Sequence, residues 1–167
     1  MVFIKIFVLD SSAVLNDFNF SFEQNKEYFV TPLIIQEFRD LRSRSLVESA
    51  LHSRVLKIIE PKKESIEEIS EKSDSMGFQR LSRPDISVLA LALEFKRAKK
   101  SFVLVSDDYS IQNFAKLLKI PFESIIQGKI KKVISFKTSC SGCGKEFPNT
   151  AKIKKCDVCG SKLKKRV

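Results

Sequence analysis

Four cysteines near the end of the sequence are spaced like the ligands of a metal ion. They form two pairs of equal spacing, Cys140-Ser-Gly-Cys143 and Cys156-Asp-Val-Cys159, and the sequence contains no other cysteine. Two intervening residues let both thiolates of a pair reach one ion, and four thiolates in a tetrahedron suit Zn²⁺ and leave no position for water or substrate. The pattern therefore predicts one structural zinc ion in a small ribbon-like module.

Two disulfides are the alternative interpretation of the same cysteines. The apolar run at the start of the chain is interrupted by Lys5 and ends at Asp10, which is not typical of a secretory signal peptide. Thiols stay reduced in the cytosol. We therefore expect a cytoplasmic protein with metal-bound cysteines, and no stretch is long and apolar enough to predict a membrane span.

Acidic residues suggest a second kind of metal site in the first part of the chain. Asp10 ends one apolar run, and Asp107 and Asp108 end another. Asp85 stands at the start of a predicted helix, and Glu37 stands inside another. Carboxylates are costly to bury without partners, and their hard oxygens suit Mg²⁺ or Mn²⁺. Each acid alone is equally compatible with a turn, a helix start or an exposed surface, so the hypothesis depends on their joint position.

The elements that must position these acids alternate between strands and helices. Apolar, β-branched runs predict strands over residues 3–9, 55–59 and 102–106. Helical spacing and capping signals predict helices over residues 32–52, 65–76, 82–100 and 110–118. This order predicts an α/β fold with a parallel sheet flanked by helices on both faces. Ligands bind at the carboxyl ends of the strands in such sheets, which is where the acids fall.

The basic charge of the protein is concentrated in its last 39 residues. Residues 129–167 contain 12 Lys and Arg against 2 Asp and Glu, whereas residues 1–128 contain 18 of each. Zinc held by four thiolates lowers the charge of this part only to about +8. Such a density favours contact with RNA, although a solvated tail is the alternative. The candidate RNA-binding residues are Lys129, Lys131, Lys132, Lys152, Lys154, Lys155, Lys162, Lys164, Lys165 and Arg166.

The segments around the acids resemble the four acidic motifs of the PIN-domain ribonucleases. They are Val8-Leu-Asp10-Ser-Ser-Ala13, Thr31-Pro-Leu-Ile-Ile-Gln-Glu37-Phe38, Leu81-Ser-Arg-Pro-Asp85-Ile-Ser-Val88 and Val105-Ser-Asp-Asp108-Tyr-Ser-Ile-Gln-Asn113. The last segment, together with the cysteine pairs that follow it, is similar to the Nin-one-binding (Nob) ribosome-maturation family in its compact archaeal form. The resemblance covers nearly the entire chain.

The charge division and the cysteine pairs predict three parts, and the resemblance implies an activity. The expected parts are a PIN-like nuclease domain over residues 1–128, a connecting strand or linker over 129–137, and a zinc ribbon with a basic tail over 138–167. The expected activity is metal-dependent cleavage of precursor small-subunit ribosomal RNA, in a pre-ribosomal particle and beside other assembly factors, to form its mature 3′ end. The implied Mn²⁺ or Mg²⁺ ligands are Asp10, Glu37, Asp85 and Asp108, and it stays open whether Asp107 or Asp108 is the ligand.

Two other functions stay open on the sequence. One is a toxin-like PIN ribonuclease that acts on transfer or messenger RNA, and the other is a non-catalytic RNA-binding factor in ribosome assembly. A ribonuclease that uses two histidines as acid and base is excluded, because His52 is the only histidine in the chain.

Overall fold

A computed structural model describes residues 5–75, 81–125, 137–147 and 155–166 of the chain. The strands of the first part are β1 (Lys5–Leu9), β2 (Lys26–Val30), β3 (Leu56–Ile58), β4 (Phe102–Val105) and β5 (Phe122–Glu123). Its helices are α1 (Ser12–Leu15), α2 (Pro32–Ile35), α3 (Leu41–His52), α4 (Lys63–Ser75), α5 (Arg83–Arg97) and α6 (Tyr109–Leu117). None of the described helices is long and apolar enough to cross a membrane.

The five strands form one parallel sheet in the order β3-β2-β1-β4-β5. The chain moves from β1 outward to β3 and then crosses back to β4 and β5 on the other side of β1. Right-handed crossovers in these opposite directions place the connecting helices on opposite faces of the sheet. The predicted α/β architecture is therefore confirmed.

Aromatic side chains mark the two faces of the sheet. On one face, Phe29 of β2 packs edge to face against Phe95 of α5, with ring centroids 5.0 Å apart. On the other face, the rings of Phe7 and Tyr28 stack at 5.4 Å, and Phe22 packs against Tyr28. Side chains of a strand alternate between faces, so neighbouring residues of β2 contribute to separate layers of the core.

The sequence predicted three strands of this sheet and missed two. The strand predicted over residues 3–9 is β1, of which residues 5–9 are described, and the other two are β3 and β4. β2 opens with Lys26 and Glu27 and so lacks a continuous apolar run, and β5 has only two residues. Both strands are held by pairing with distant segments, which local composition does not reveal.

The helix predicted over residues 32–52 is wrong, because the structure divides it into α2 and α3. Thr31 caps α2, and its hydroxyl accepts a hydrogen bond from the Ile34 N–H. Asp40 caps α3 and accepts from the Ser43 N–H at 2.9 Å. A residue that caps a helix has extended backbone, as Asp40 does with ψ 154°, so a continuous helix is broken there. Glu37 consequently lies in the turn between the helices and not inside a helix.

The later helices agree with the sequence more closely. Ser82 and Asp85 form the predicted capping box of α5, in which each side chain accepts from the backbone N–H of the other. The described part of α4 ends at Ser75, and α6 begins one residue before the predicted start. Nearly every residue from Ser87 to Phe95 is buried, as the apolar composition of α5 indicated.

The cysteine-containing part folds as a small antiparallel sheet. Its strands are β6 (Lys137–Cys140), β7 (Glu146–Phe147) and β8 (Leu163–Arg166), in the order β7-β6-β8. An isolated bridge pairs Lys155 with Lys162. This arrangement fits the predicted ribbon. The boundaries of the linker predicted over residues 129–137 stay a prediction, since residues 126–136 lie outside the described part of the chain and Lys137 already belongs to β6.

Candidate active site

Four acidic residues come from four separate segments at the carboxyl edge of the parallel sheet. Asp10 follows β1 directly, and Asp108 lies three residues beyond the end of β4. Asp85 occupies the first turn of α5, and Glu37 lies in the turn after α2. Parallel strands that run side by side end at a common edge, so the residues that follow them are brought together by topology.

Asp10 is almost completely buried, with 2% of its surface exposed. Its carboxylate accepts hydrogen bonds from the hydroxyls of Ser12 at 2.5 Å and Ser106 at 2.9 Å. The pKa of Asp10 is raised to about 6, first by burial and also by the charge of Asp85, while the hydrogen bonds from the two hydroxyls act in the opposite direction. An ionised Asp10 is therefore costly until a cation approaches.

Asp85 links the remaining acids electrostatically. Its pKa is raised first by burial and then by the negative charges of Asp108 and Glu37, while the capping-box hydrogen bonds with Ser82 act in the opposite direction. Because Asp85 also acts on Asp10, all four acids experience the field of at least one other member. The structure thus brings together the four carboxylates that the sequence proposed as one site.

The site contains negative charge without a compensating basic group in the part of the chain that the structure describes. Among the described residues, none of the four carboxylates has a Lys, Arg or His nitrogen within 4.0 Å. The carboxylates are nevertheless not drawn into a tight cage, since no three of them in the described part have oxygens that all lie within 4.8 Å of one another. The arrangement is an open cleft lined with hard oxygen ligands, which fits a divalent cation that also binds water and substrate.

Hydroxyl groups fix the relative positions of the four segments. The Ser11 hydroxyl donates to Glu37, and the Ser106 hydroxyl both donates to Asp10 and accepts from the Asp108 N–H at 3.1 Å. The sequence left open whether Ser11 and Ser12 orient Asp10 or serve as ordinary turn residues. In the structure, the Ser12 hydroxyl donates a hydrogen bond to Asp10, and the Ser11 hydroxyl donates one to Glu37.

The sequence did not predict a further contact near the site, between the hydroxyls of Thr31 and Ser87. The hydroxyls of Thr31 and Ser87 lie 2.7 Å apart, and Ser87 also donates to the Pro84 carbonyl. This pair joins the start of α2, which leads to Glu37, to the first turns of α5, which carry Asp85. The sequence shows only one hydroxyl residue within each of two apolar segments. Because 56 residues separate Thr31 from Ser87, their contact cannot be predicted from local sequence.

Asp107 and Asp108 are adjacent but have different surroundings. Asp107 is buried, and one of its oxygens accepts from the Ser124 hydroxyl at 2.5 Å and from the Ile125 N–H at 2.9 Å. Asp108 is exposed at the start of α6, where one oxygen accepts from the Ser110 and Ile111 N–H groups. Of the two, only Asp108 is a cause of the raised pKa of Asp85. Asp108 therefore belongs to the acidic site, and Asp107 holds the chain that follows β5.

The four cysteines form a compact cluster of sulfur atoms. All four Sγ atoms lie within 4.8 Å of one another, with Cys140 and Cys159 at 3.3 Å and Cys143 and Cys156 at 3.6 Å. These distances are far from a disulfide bond and close to the roughly 3.8 Å expected between thiolates around one zinc ion. The disulfide alternative is therefore wrong, and the predicted cluster can hold a metal.

Backbone groups support the cysteine cluster. The N–H groups of Gly142 and Val158 point at the sulfurs of Cys140 and Cys156, at 3.3 and 3.4 Å. Hydrogen bonding from Ser161 lowers the pKa of Cys159 to about 6, which favours its thiolate form. A site that is preformed in this way binds a metal without rearrangement of its ligands.

Three of the ten candidate RNA-binding residues have described side chains, and all three are exposed. They are Lys155, Lys162 and Lys164. Lys155 and Lys162 are directly opposite each other in an antiparallel bridge, where like charges are destabilising. Of Lys165 and Arg166 only the backbone is described, and Lys129, Lys131, Lys132, Lys152 and Lys154 lie outside the described residues.

Comparison with known proteins agrees with the fold and with a ribonuclease activity. Residues 7–95 match the family model described as the PIN domain of ribonuclease, so the chain is a PIN-domain ribonuclease. It is 35% identical to "Endoribonuclease Nob1" of Methanothermobacter thermautotrophicus and 36% identical to that of Pyrococcus abyssi. These alignments cover 98% and 94% of this chain and 93% and 91% of the relatives. The chain belongs to the Nob1 family of endoribonucleases.

A further relative carries a different name. "Ribonuclease VapC1" of Thermoplasma acidophilum is 31% identical over 96% of this chain and 77% of its own length. Both names describe ribonucleases. The protein is accordingly a nuclease that acts on RNA and belongs to a divalent-metal-dependent class, and the non-catalytic alternative is wrong.

Proposed function

We propose that this endoribonuclease hydrolyses a phosphodiester bond in precursor small-subunit ribosomal RNA and thereby forms its mature 3′ end. The catalytic Mn²⁺ or Mg²⁺ is held by Asp10, Glu37, Asp85 and Asp108. The observation that supports this assignment is the mutual electrostatic influence of the four acids at one sheet edge without a basic partner among the described residues. The substrate is taken from the family resemblance and the basic cysteine module.

The proposed metal site fits the chemistry of its donors. Carboxylate oxygens are the preferred ligands of Mg²⁺ and Mn²⁺. When bound, such a metal lowers the pKa of a coordinated water and neutralises charge on the phosphate. The contribution of the chain is to hold Asp10 by two hydroxyls and to present Asp85 from a capped helix start.

Asp108 is the fourth ligand in this proposal, and Asp107 is a structural residue. The carboxylate of Asp107 faces Ser124 and Ile125, whereas Asp108 is exposed and acts on Asp85. No side-chain nucleophile is required. His52 is exposed at the end of α3 and takes no part.

The metal of the cysteine cluster is proposed to be zinc in a closed structural site. Four thiolates fill a tetrahedral shell, so this ion holds the module together and does not activate water. The lysines of the module are proposed to bind the phosphates of the RNA. The like-charged pair of Lys155 and Lys162 supports this role, because a polyanion between the two ammonium groups relieves their repulsion.

The proposed cellular setting is the cytoplasm, in a pre-ribosomal particle and beside other assembly factors. Four thiols held side by side without a disulfide suit a reducing compartment. The family name of the relatives supports a role in ribosome maturation through the resemblance stated above.

The test is cleavage of a precursor RNA that spans the mature 3′ end, with Mn²⁺ or with EDTA, followed by mapping of the cut ends. The wild type is expected to cut at the mature end only with metal, and Asp10→Asn is expected to lose cleavage. Asp74→Asn is the matched control, because Asp74 is exposed on α4 and is not one of the charges that raise the pKa of Asp10 or Asp85. Metal-dependent cleavage by Asp10→Asn at the wild-type rate contradicts the proposed site.

The toxin-like alternative is supported by the relative named VapC1 and is tested by deletion of residues 138–167. An enzyme that uses the cysteine module to select precursor RNA is expected to lose its preference for that RNA over transfer RNA. A toxin-like enzyme is expected to keep both its rate and its substrate preference without the module.

A further inference from the structure

A large aromatic side chain is presented to solvent near the acidic site. Phe18 is 81% exposed, whereas Phe20 and Phe22, which follow it in the same loop, pack inward against Tyr28. Phe18 stands at the tip of a turn in which the Asp17 carbonyl accepts from the Phe20 N–H at 3.1 Å, and the Asp17 carboxylate accepts from the Asn19 N–H. Small polar residues are usual at such a position, so the outward ring is not explained by the turn or by the core.

An arginine is held over this ring by the protein backbone. The guanidinium of Arg42 lies 5.2 Å from the centre of the Phe18 ring. It donates to the carbonyls of Asp17 at 2.7 Å and Val14 at 3.5 Å, and among the described residues no carboxylate lies within 4.0 Å of it. Arg42 therefore retains its positive charge and unused N–H donors, while its position beside the ring is fixed.

Both residues are connected to the acidic site over a short length of chain. The Ser11 hydroxyl joins the start of α1 to Glu37, and Arg42 joins the end of α1 to the start of α3. Glu37 and Arg42 are five residues apart, so their Cα atoms are separated by at most roughly 18 Å. The Phe18–Arg42 pair thus lies within the distance spanned by a few nucleotides of RNA bound at the acids.

We propose that the exposed ring of Phe18, with the guanidinium of Arg42 beside it, is a stacking site for one unpaired base of the RNA substrate near the scissile bond. The inference rests on the proposed location of the metal among Asp10, Glu37, Asp85 and Asp108. Bases without a pairing partner stack on aromatic rings and guanidinium planes, and the positive charge of Arg42 suits the adjacent phosphate. The site holds single-stranded RNA in register and contributes little to the binding of a duplex, in which the base faces are covered.

The test measures binding of the full-length protein to single-stranded oligoribonucleotides that span the cleavage site. Mn²⁺ and Mg²⁺ are left out of the buffer to prevent cleavage, each oligonucleotide contains one abasic position, and affinity is measured by fluorescence anisotropy. The wild type is expected to lose affinity by about tenfold at one abasic position near the scissile bond. Phe18→Ala is expected to lose about tenfold with intact RNA and to be insensitive to that abasic position.

Two variants separate stacking from a general apolar contact. Phe18→Tyr keeps a ring and is expected to keep the abasic dependence. Leu41→Ala removes an apolar side chain that is 87% exposed next to Arg42, and it is expected to bind RNA like the wild type. Equal affinity of Phe18→Ala and wild type for intact RNA overturns the proposal. Because binding is measured without cleavage, the result is independent of whether Asp10→Asn abolishes the reaction.

Discussion

At the scale of single residues, the ionised form of Asp10 lowers the stability of the folded protein, because its carboxylate is buried. A carboxyl group with a raised pKa keeps its proton in the folded state at a pH where the unfolded chain has already released it. The free energy of unfolding therefore falls as the pH rises between about 4 and 6, and the lost stability is not recovered above that range. A bound divalent cation offsets this cost, which couples metal binding to stability.

Asp10→Asn is accordingly expected to stabilise the protein at pH 7 in buffer without added Mn²⁺ or Mg²⁺. The pKa of Asp10 is raised from 3.8 to about 6, which corresponds to roughly 3 kcal/mol at most. Denaturant unfolding followed by circular dichroism at pH 4 to 8 measures the effect. The variant should lack the part of the pH dependence between 4 and 6 that the wild type shows, and Asp74→Asn should retain it. Parallel curves for the wild type and Asp10→Asn contradict the expectation.

Ser106 positions two members of the acidic site, Asp10 and Asp108, through its hydroxyl group. Ser106→Ala removes the hydrogen bond to Asp10 and the one from the Asp108 N–H, whereas Ser106→Thr keeps a hydroxyl. We expect the alanine variant to need about 10- to 100-fold more Mn²⁺ for half-maximal cleavage, which is typical when a residue that orients a metal ligand is removed. Titration of activity with Mn²⁺ measures this change. A threonine variant that is as impaired as the alanine variant indicates a steric role instead.

At the scale of elements, the sequence predicts the acids that follow apolar strands better than the acid in a connection. Asp10 and Asp108 follow runs that are recognisably strands, and Asp85 follows a capping signal that the structure confirms. The helical spacing of its apolar neighbours predicts Glu37 inside a helix, because spacing does not detect the cap at Asp40. The hydroxyl contacts were beyond prediction, because partners such as Ser106 and Asp10 are 96 residues apart.

The turn between Cys140 and Cys143 depends on the absence of a side chain at one position. A Cβ atom on Gly142 lies 2.5 Å from the Ser161 Oγ, 3.1 Å from the Ser161 Cβ and 3.3 Å from the Cys159 Sγ. Gly142→Ala is therefore expected to displace a ligand and to lower zinc retention at least tenfold, as an order-of-magnitude estimate. Competition with a chromogenic chelator measures the loss. Val158→Ala, which trims a 67% exposed side chain in the other turn, is expected to retain zinc.

At the scale of the whole molecule, charge is divided between two parts. The first 128 residues have equal numbers of acidic and basic residues and contain the acidic cleft, whereas the last 39 residues carry the net charge of +10. The cleft repels RNA until metal binds, so phosphate contacts elsewhere must supply much of the affinity. This division could be read from the sequence, but the opposed Lys155 and Lys162 could not, because that pair depends on strand register.

Replacement of Lys155, Lys162 and Lys164 by Gln is expected to weaken RNA binding and its dependence on salt. The slope of log affinity against log salt concentration should fall in magnitude by about 0.7 for each lost contact with single-stranded RNA, or about 2 in total. Anisotropy titrations at several KCl concentrations give the slope. The same replacement of Lys62, Lys63 and Lys99, which are exposed in the neutral part, should leave it unchanged. Equal slopes for the two triple variants contradict a specific role for the module.

The contact of Asp107 with Ser124 and Ile125 has a mechanical consequence. Ser124 and Ile125 directly follow β5, and both are bound by one carboxylate, that of Asp107. Asp107, which supplies this carboxylate, is followed directly in the chain by Asp108. Force on the segment after β5 is therefore transmitted to the backbone next to Asp108, a member of the acidic site. The Asp107–Asp108 dipeptide thus couples the position of the chain beyond β5 to the geometry of the acidic site.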